Sequence, residues 1–161
     1  MSGLDSSSVR RVREVLSAKG SAARVIELAE TARSAEDAAR SVGCELGAIV
    51  KSLVFRIGER PVMALVAGDR RCDPAALPGI LGLEGRVGRA DADLVRAATG
   101  FAIGGVAPVG HDLPVAIDAS LGRFDRLWAA AGHPHCVFAT TLPELCALTG
   151  GRLSDRLAPA P

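Results

Sequence analysis

The chain has 161 residues, 48% of them hydrophobic, and a formal net charge of +1 at pH 7. That length and apolar content suit a single domain, residues 1–161, with one sizeable core, and the near-neutral charge carries no global signal for nucleic acid. One Trp, four Phe and no Tyr argue against an aromatic platform of the kind that stacks single-stranded bases.

Ser6, Ser7 or Ser8 can cap a first helix whose Val9, Val12, Val15 and Leu16 share one face, with Arg10, Arg11, Arg13 and Glu14 facing out and Gly20 ending it. Val25 to Leu28 is a short strand, and Ser34-x-x-Asp37 starts an alanine-rich helix through Val42 that Gly43 closes. Ile49 to Ile57 is the strongest strand. Its alternation puts Leu53, Phe55 and Ile57 on the face of Lys51, and Ser52 and Arg56 on the other. Gly58-Glu59-Arg60-Pro61 turns the chain into the almost continuously apolar Val62 to Ala67, and the resulting antiparallel hairpin is expected at the centre of a sheet. Asp73-Pro74 opens a helix over Ala75 to Leu81, a brief strand falls near Arg86-Val87, and Asp91 caps a helix that stops at Gly100.

Phe101-Ala102-Ile103-Gly104-Gly105-Val106-Ala107-Pro108-Val109-Gly110 follows directly. Apolar residues running into a Gly pair, then a Pro and a third Gly, predict a strand that ends in a tight, shaped loop. Gly104 and Gly105 can take positive φ and let another molecule approach the main chain, and successive amides there suit a carbonyl, carboxyl or phosphate oxygen. A plain hairpin turn is the alternative.

Beyond the loop, Pro114 to Asp118 reads as a strand, Ala119 to Phe124 as an irregular or short helical turn, and Arg126 to Ala131 as a strand. Gly132-His133-Pro134-His135 is a turn, Cys136 to Thr140 a last strand, and Thr141-x-x-Glu144 a capping box for a final helix ending at Gly150-Gly151. Residues 1–5 and 154–161 are expected to fray. Short strands joined by turns, with helices grouped between pairs of strands, predict an α+β fold with a mixed, largely antiparallel sheet.

Arginine supplies the positive charge almost alone, since Lys19 and Lys51 are the only lysines among 19 basic residues. A lysine on the apolar face of the best strand suggests a site that wants a compact ammonium; the alternative is a buried stem with its head in solvent. Asp118 can face Lys51 or a ligand hydroxyl, or can simply cap Ser120-Leu121. Cys44, Cys72, Cys136 and Cys146 form no C-x-x-C pair, and His111, His133 and His135 lack a second ligand pair at a recognised spacing, so no metal and no cofactor is expected. Gly-x-Ser-x-Gly is missing, Ser52 has no evident base, and no cysteine has the setting of a nucleophile. The N-terminal residues lack a secretory pattern and no apolar run reaches a membrane span, which predicts a cytoplasmic protein with no membrane partner.

Ile49-Val50-Lys51-Ser52-Leu53-Val54-Phe55 and Gly100 to His111, together with Thr31 to Ala39 and Ala131-Gly132-His133-Pro134, resemble the YbaK/ProX family. These are free-standing aminoacyl-tRNA deacylases related to the editing domain inserted in bacterial prolyl-tRNA synthetase. The resemblance runs from about Val25 to Gly150 and implies a barrel-like mixed sheet flanked by helices. It further implies hydrolysis, in trans, of the ester between a wrong amino acid and tRNA, with the tRNA acceptor end and a cognate synthetase as partners and no DNA. Lys51 matches the family's essential lysine, and Gly104 and Gly105 match the loop that binds the aminoacyl carbonyl. Ser34, Ile103, Val106, Pro108, Gly110, His111, Asp118, Gly132 and His133 are then expected to bind substrate, whose ribose 2′-hydroxyl assists the attacking water. Arg24 to Leu28 lacks the aromatic residues of the cysteine-specific branch, which points to alanine, serine or another small residue on tRNA(Pro) or another tRNA. A non-catalytic tRNA- or amino-acid-binding module of the same fold is the rival reading.

Overall fold

Side-chain caps set the starts of four helices in the computed structural model, which describes residues 3–30, 32 and 34–161. Met1 and Ser2 of the N-terminal stretch expected to fray, and Thr31 and Arg33 of the Thr31–Ala39 motif, lie outside the described residues. Ser6 accepts from the Val9 amide at the start of α1 (Ser7–Ala18), and Ser34 from Asp37 at α2 (Ala35–Val42). Asp91 accepts from Leu94 at α4 (Ala92–Thr99), and Thr141 from Glu144 at α5 (Leu142–Thr149). The short α3 (Leu77–Leu81) instead follows a 3₁₀ turn with proline in its first turn. Each capped start leaves one orphan amide fewer at a helix too short to be stable alone.

The strands are β1 (Val25–Glu27), β2 (Ile49–Ile57), β3 (Arg60–Ala67), β4 (Val87–Arg89), β5 (Val115–Asp118), β6 (Leu127–His133), β7 (Cys136–Thr140) and β8 (Arg152–Ser154). They form one mixed sheet in the order β1-β7-β6-β2-β3-β5-β8, curled into a half-barrel, with β4 also on β2. The longest ladders, β2 with β3 and β6 with β7, are antiparallel; β2–β6, β3–β5 and β5–β8 are parallel. The predicted hairpin does lie at the centre.

β2 has an unusual edge. β3 pairs with one side of it from Val50 to Ile57. On the other side β6 pairs only at Ile49 and Val50, and β4 only from Phe55 to Ile57. Among the described residues none pairs with 51–54 on that edge, and a gap opens where β6 and β4 diverge.

Apolar clusters cover both faces of the sheet. Met63, Leu65 and Ala67 of β3 join Phe101, Phe138 and the α1 residues Val9, Val12 and Leu16 in one. Val62, Ala64 and Val66 join Leu77, Leu81 and Leu157 in the other. Burial on both faces is why β3 reads as a continuous apolar run rather than an alternating one.

Four expectations need correction. The segment from Phe101 to Ile103 is not a strand: Gly100 ends α4 in the left-handed conformation and the chain enters an irregular loop at once, anchored by the fully buried Phe101. β6 runs on through Gly132 and His133, so the turn is Pro134-His135 alone. The C-terminal segment is docked rather than frayed, because β8 pairs with β5, Leu157 and Ala158 are buried, and the Leu157 carbonyl accepts from the Asp73 amide at 2.7 Å. Arg11 does not face out. Its guanidinium lies 4.2 Å from the Phe101 ring centroid and donates to the Thr99 carbonyl at 2.5 Å.

Candidate active site

The gap beside β2 continues into a cavity of about 570 Å³. Residues 50–55 form one wall; α2 contributes Ala35 and Ala38, β6 contributes Trp128 and Ala129, and the glycine loop closes the rim with Ile103, Gly104 and Val106. Ser34, Lys51, Ile103, Gly104, Val106 and His133 of the expected site residues line it together. Its walls are mostly methyl and methylene groups, and no carboxylate is among the lining residues.

Lys51 is half-buried, and its Nζ donates to the Arg70 carbonyl at 2.7 Å. That bond uses one of three ammonium donors and holds the head group beside the turn that follows β3, with two donors left for a ligand. Leu53 and Phe55, on the same face, pack with the second apolar cluster, as the strand parity predicts.

The two loop glycines differ. The Gly105 amide donates to the Ala102 carbonyl at 3.1 Å, closing a turn whose third residue, Gly104, has φ of 99°. A positive φ at that position is what a type II turn requires. Gly105 has no positive φ, correcting that expectation; it is glycine because a Cβ there would lie 2.8 Å from the His133 amide nitrogen. Gly105 is also buried behind the cavity wall. The amides of Gly104 and Val106 have no hydrogen bond among the described residues, so the free donors at the cavity rim belong to these two rather than to Gly105.

His133 Nδ1 accepts from the His135 amide at 3.1 Å, which leaves Nε2 to carry the proton of the neutral ring. The other expected residues sit apart from the cavity lining. Asp118 is fully buried and accepts from the Ala67 and Ser120 amides at 3.0 and 2.8 Å, so it is a cap, not a partner of Lys51. Pro108 is buried in the loop, Gly110 packs against Phe101 and Arg11, and Gly132 packs against the α1 backbone at Ser8. His111 lies behind the loop with Nε2 buried and unpartnered; burial lowers its pKa, opposed by the nearby Ala107 carbonyl and reinforced by Arg11.

Sequence reasoning missed Arg89 and Trp128, which reach the cavity through pairings distant in sequence. It also set aside Ser52, whose buried Oγ has no partner and whose residue lines the cavity wall. Burial raises the thiol pKa of Cys136 on the same wall and, with Asp73, pushes Cys72 up to about 11, which makes both poor nucleophiles. Among the described residues no three His, Cys, Asp or Glu side chains gather to hold a metal, and no helix is long and apolar enough to cross a membrane.

The site is thus an apolar cavity in a half-barrel sheet, with one lysine and two loop residues whose amides are unbonded among the described residues in its lining. Residues 29–148 match the aminoacyl-tRNA editing domain family, and the chain belongs to it. Over 124 residues it is 34% identical to the uncharacterized protein YwhH of Bacillus subtilis (strain 168), covering 75% of this chain and 78% of that one. It is 37% identical over 90 residues to proline–tRNA ligase of Desulfovibrio desulfuricans, which is 56% of this chain but only 16% of the ligase. A crystal structure provisionally assigned as a trans-editing enzyme for prolyl tRNA synthetase aligns with TM-score 0.88 at 42% identity, over 96% of this chain and 99% of that one. The hypothetical protein APE2540, at 24% identity and TM-score 0.81 over 92% of this chain and 99% of its own, shares the fold.

Proposed function

We propose that the chain is a trans-acting deacylase that hydrolyses the ester joining a small, wrongly attached amino acid to the 3′ end of a tRNA in the cytoplasm, with tRNA(Pro) carrying Ala or Ser the foremost substrate. The observation that carries this reading is the convergence of Lys51 and the free Gly104 and Val106 amides on one methyl-lined cavity. An aminoacyl ester is already activated, so its hydrolysis depends on placing a water and stabilising an oxyanion more than on a strong nucleophile. The amino-acid side chain sits against the alanine-rich wall. The loop amides receive the negative charge that develops on the carbonyl oxygen as the water oxygen bonds the carbon.

Collapse of that intermediate breaks the bond to the ribose oxygen, which leaves with a proton. The family resemblance gives the assisting role to the neighbouring ribose hydroxyl, which takes a proton from the attacking water and relays it to the departing ribose oxygen, a role that suits a cavity lining without a carboxylate. Lys51 holds the terminal nucleotide and adds positive potential, and His133 offers an Nε2 proton to a substrate oxygen. A cognate synthetase is the natural source of the substrate.

The test is turnover of a panel: tRNA(Pro) charged with Ala, Ser or Cys, and cognate tRNAs charged with Ser or Thr. Ester loss from at least one of the small-residue substrates is expected. Binding without turnover across the panel would instead make the chain a non-catalytic module.

A further inference from the structure

The opposite face of β2 opens on a second cleft of about 990 Å³, of which the reaction above uses Lys51 alone. Lys51 and Phe55 of β2, Arg70 and Arg71 beyond β3, and Gly88 and Arg89 of β4 line it. Four of its lining residues are cationic and none is a carboxylate, in a chain whose 19 basic and 18 acidic residues nearly balance. Asp73, close by in sequence, lies outside the lining. The arginines are not neutralised either, since the ion pairs among the described residues are Arg40 with Asp37 and Arg123 with Asp69. Arg70 Nη1 donates to the Ala158 carbonyl at 3.3 Å, while Arg71 and Arg89 are exposed.

The two cavities share Lys51, Leu53, Phe55 and Arg89, so they meet along the unpaired edge of β2. A ligand with its acyl end in the first cavity can thus extend past Lys51 into the second. We propose that the second cleft is a phosphodiester site for the single-stranded 3′ end of the tRNA, with Arg70, Arg71 and Arg89 on the linkages that precede the terminal nucleoside. The identity of this polyanion rests on the editing reading. Arginine forks match phosphate oxygens, and Leu53 and Phe55 give the ribose and base an apolar floor.

Binding can be measured without turnover, by fluorescence anisotropy of an uncharged RNA minihelix ending in a single-stranded 3′-CCA and of the same minihelix without that overhang. The parent should prefer the overhang. Arg71→Gln/Arg89→Gln should weaken binding of the CCA-ended RNA by about tenfold or more at low salt, and reduce the salt slope by about 0.7 for each phosphate that is no longer neutralised. The doubly substituted protein should also lose the preference for the overhang, while Arg10→Gln, on α1, should bind like the parent. Equal parental affinity for the two RNAs, or parental binding by the double variant, would overturn the proposal. If these arginines bind the overhang but the charged-tRNA panel shows no turnover, the deacylase reading fails and this site stands. If the panel turns over and the double variant binds like the parent, the site fails and the reading stands.

Discussion

A methyl group added at Gly105 would lie 2.8 Å from the His133 amide nitrogen and 2.9 Å from its Cα, a clash that backbone atoms cannot relieve by rotating away. At Gly104 the nearest atom is Pro134 Cγ at 3.7 Å, so a methyl fits and only the φ of 99° opposes it. Gly105→Ala should therefore push the loop off β6, costing about 2 kcal/mol in overpacking and lowering deacylation together with the melting temperature. Gly104→Ala should cost only about 1 kcal/mol, with a correspondingly smaller melting shift. Thermal melts of the two variants check this ordering, and a larger destabilisation at Gly104 would contradict it. From sequence the two glycines are equivalent. Which one needs positive φ and which one a close backbone approach depends on Gly105 lying against His133 of β6, about thirty residues further along the chain.

The loop itself is held from behind by α1, through a residue expected to face water. Polar residues on an amphipathic helix ordinarily face water, yet Arg11 on α1 turns in to stack on Phe101 and bond Thr99, because the α4–loop junction presents an aromatic face and an uncapped carbonyl beside it. His111 shares this setting, half-buried with Arg11 and Asp112 near. Its pKa is lowered from 6.5, chiefly by burial, so the fold resists a proton that the unfolded chain accepts. Stability contributed by the neutral ring is complete above about pH 6.5 and is lost as pH falls through that value toward the folded-state pKa. Melting temperatures from pH 7.5 to 5.5 should fall less steeply in His111→Gln than in the parent, and parallel slopes would contradict the assignment.

Local rules did determine the capped helices, because Ser34, Asp91 and Thr141 act through amides three residues away. The β2–β3 hairpin was legible for the same reason. What escaped were features made by distant pairing: the open edge of β2, the reach of β6 and the docking of β8.

Across the whole molecule, the proposed function is built around that open edge. A sheet fully paired along β2 would separate its two faces; the gap at residues 51–54 instead joins an apolar cavity on one side to a cationic cleft on the other, with Lys51 between them. The resemblance to the editing family points to Lys51 and the loop, and one cavity gathers Ser34, Lys51, Ile103, Gly104, Val106 and His133. Asp118, Gly132 and His111 serve the scaffold around it.

Lys51 is where the proposed chemistry and the fold separate most cleanly. Its side chain makes one hydrogen bond, to the Arg70 carbonyl, so Lys51→Ala should cost only about 1 kcal/mol of stability. The decisive measurement is the single-turnover deacylation rate of Ala- or Ser-charged tRNA(Pro) by the parent, Lys51→Ala and Lys51→Arg, with a thermal melt of each. A folded Lys51→Ala should be slowed by about 100-fold or more, and Lys51→Arg should not restore the parental rate. A folded Lys51→Ala that deacylates at the parental rate would contradict the proposed chemistry.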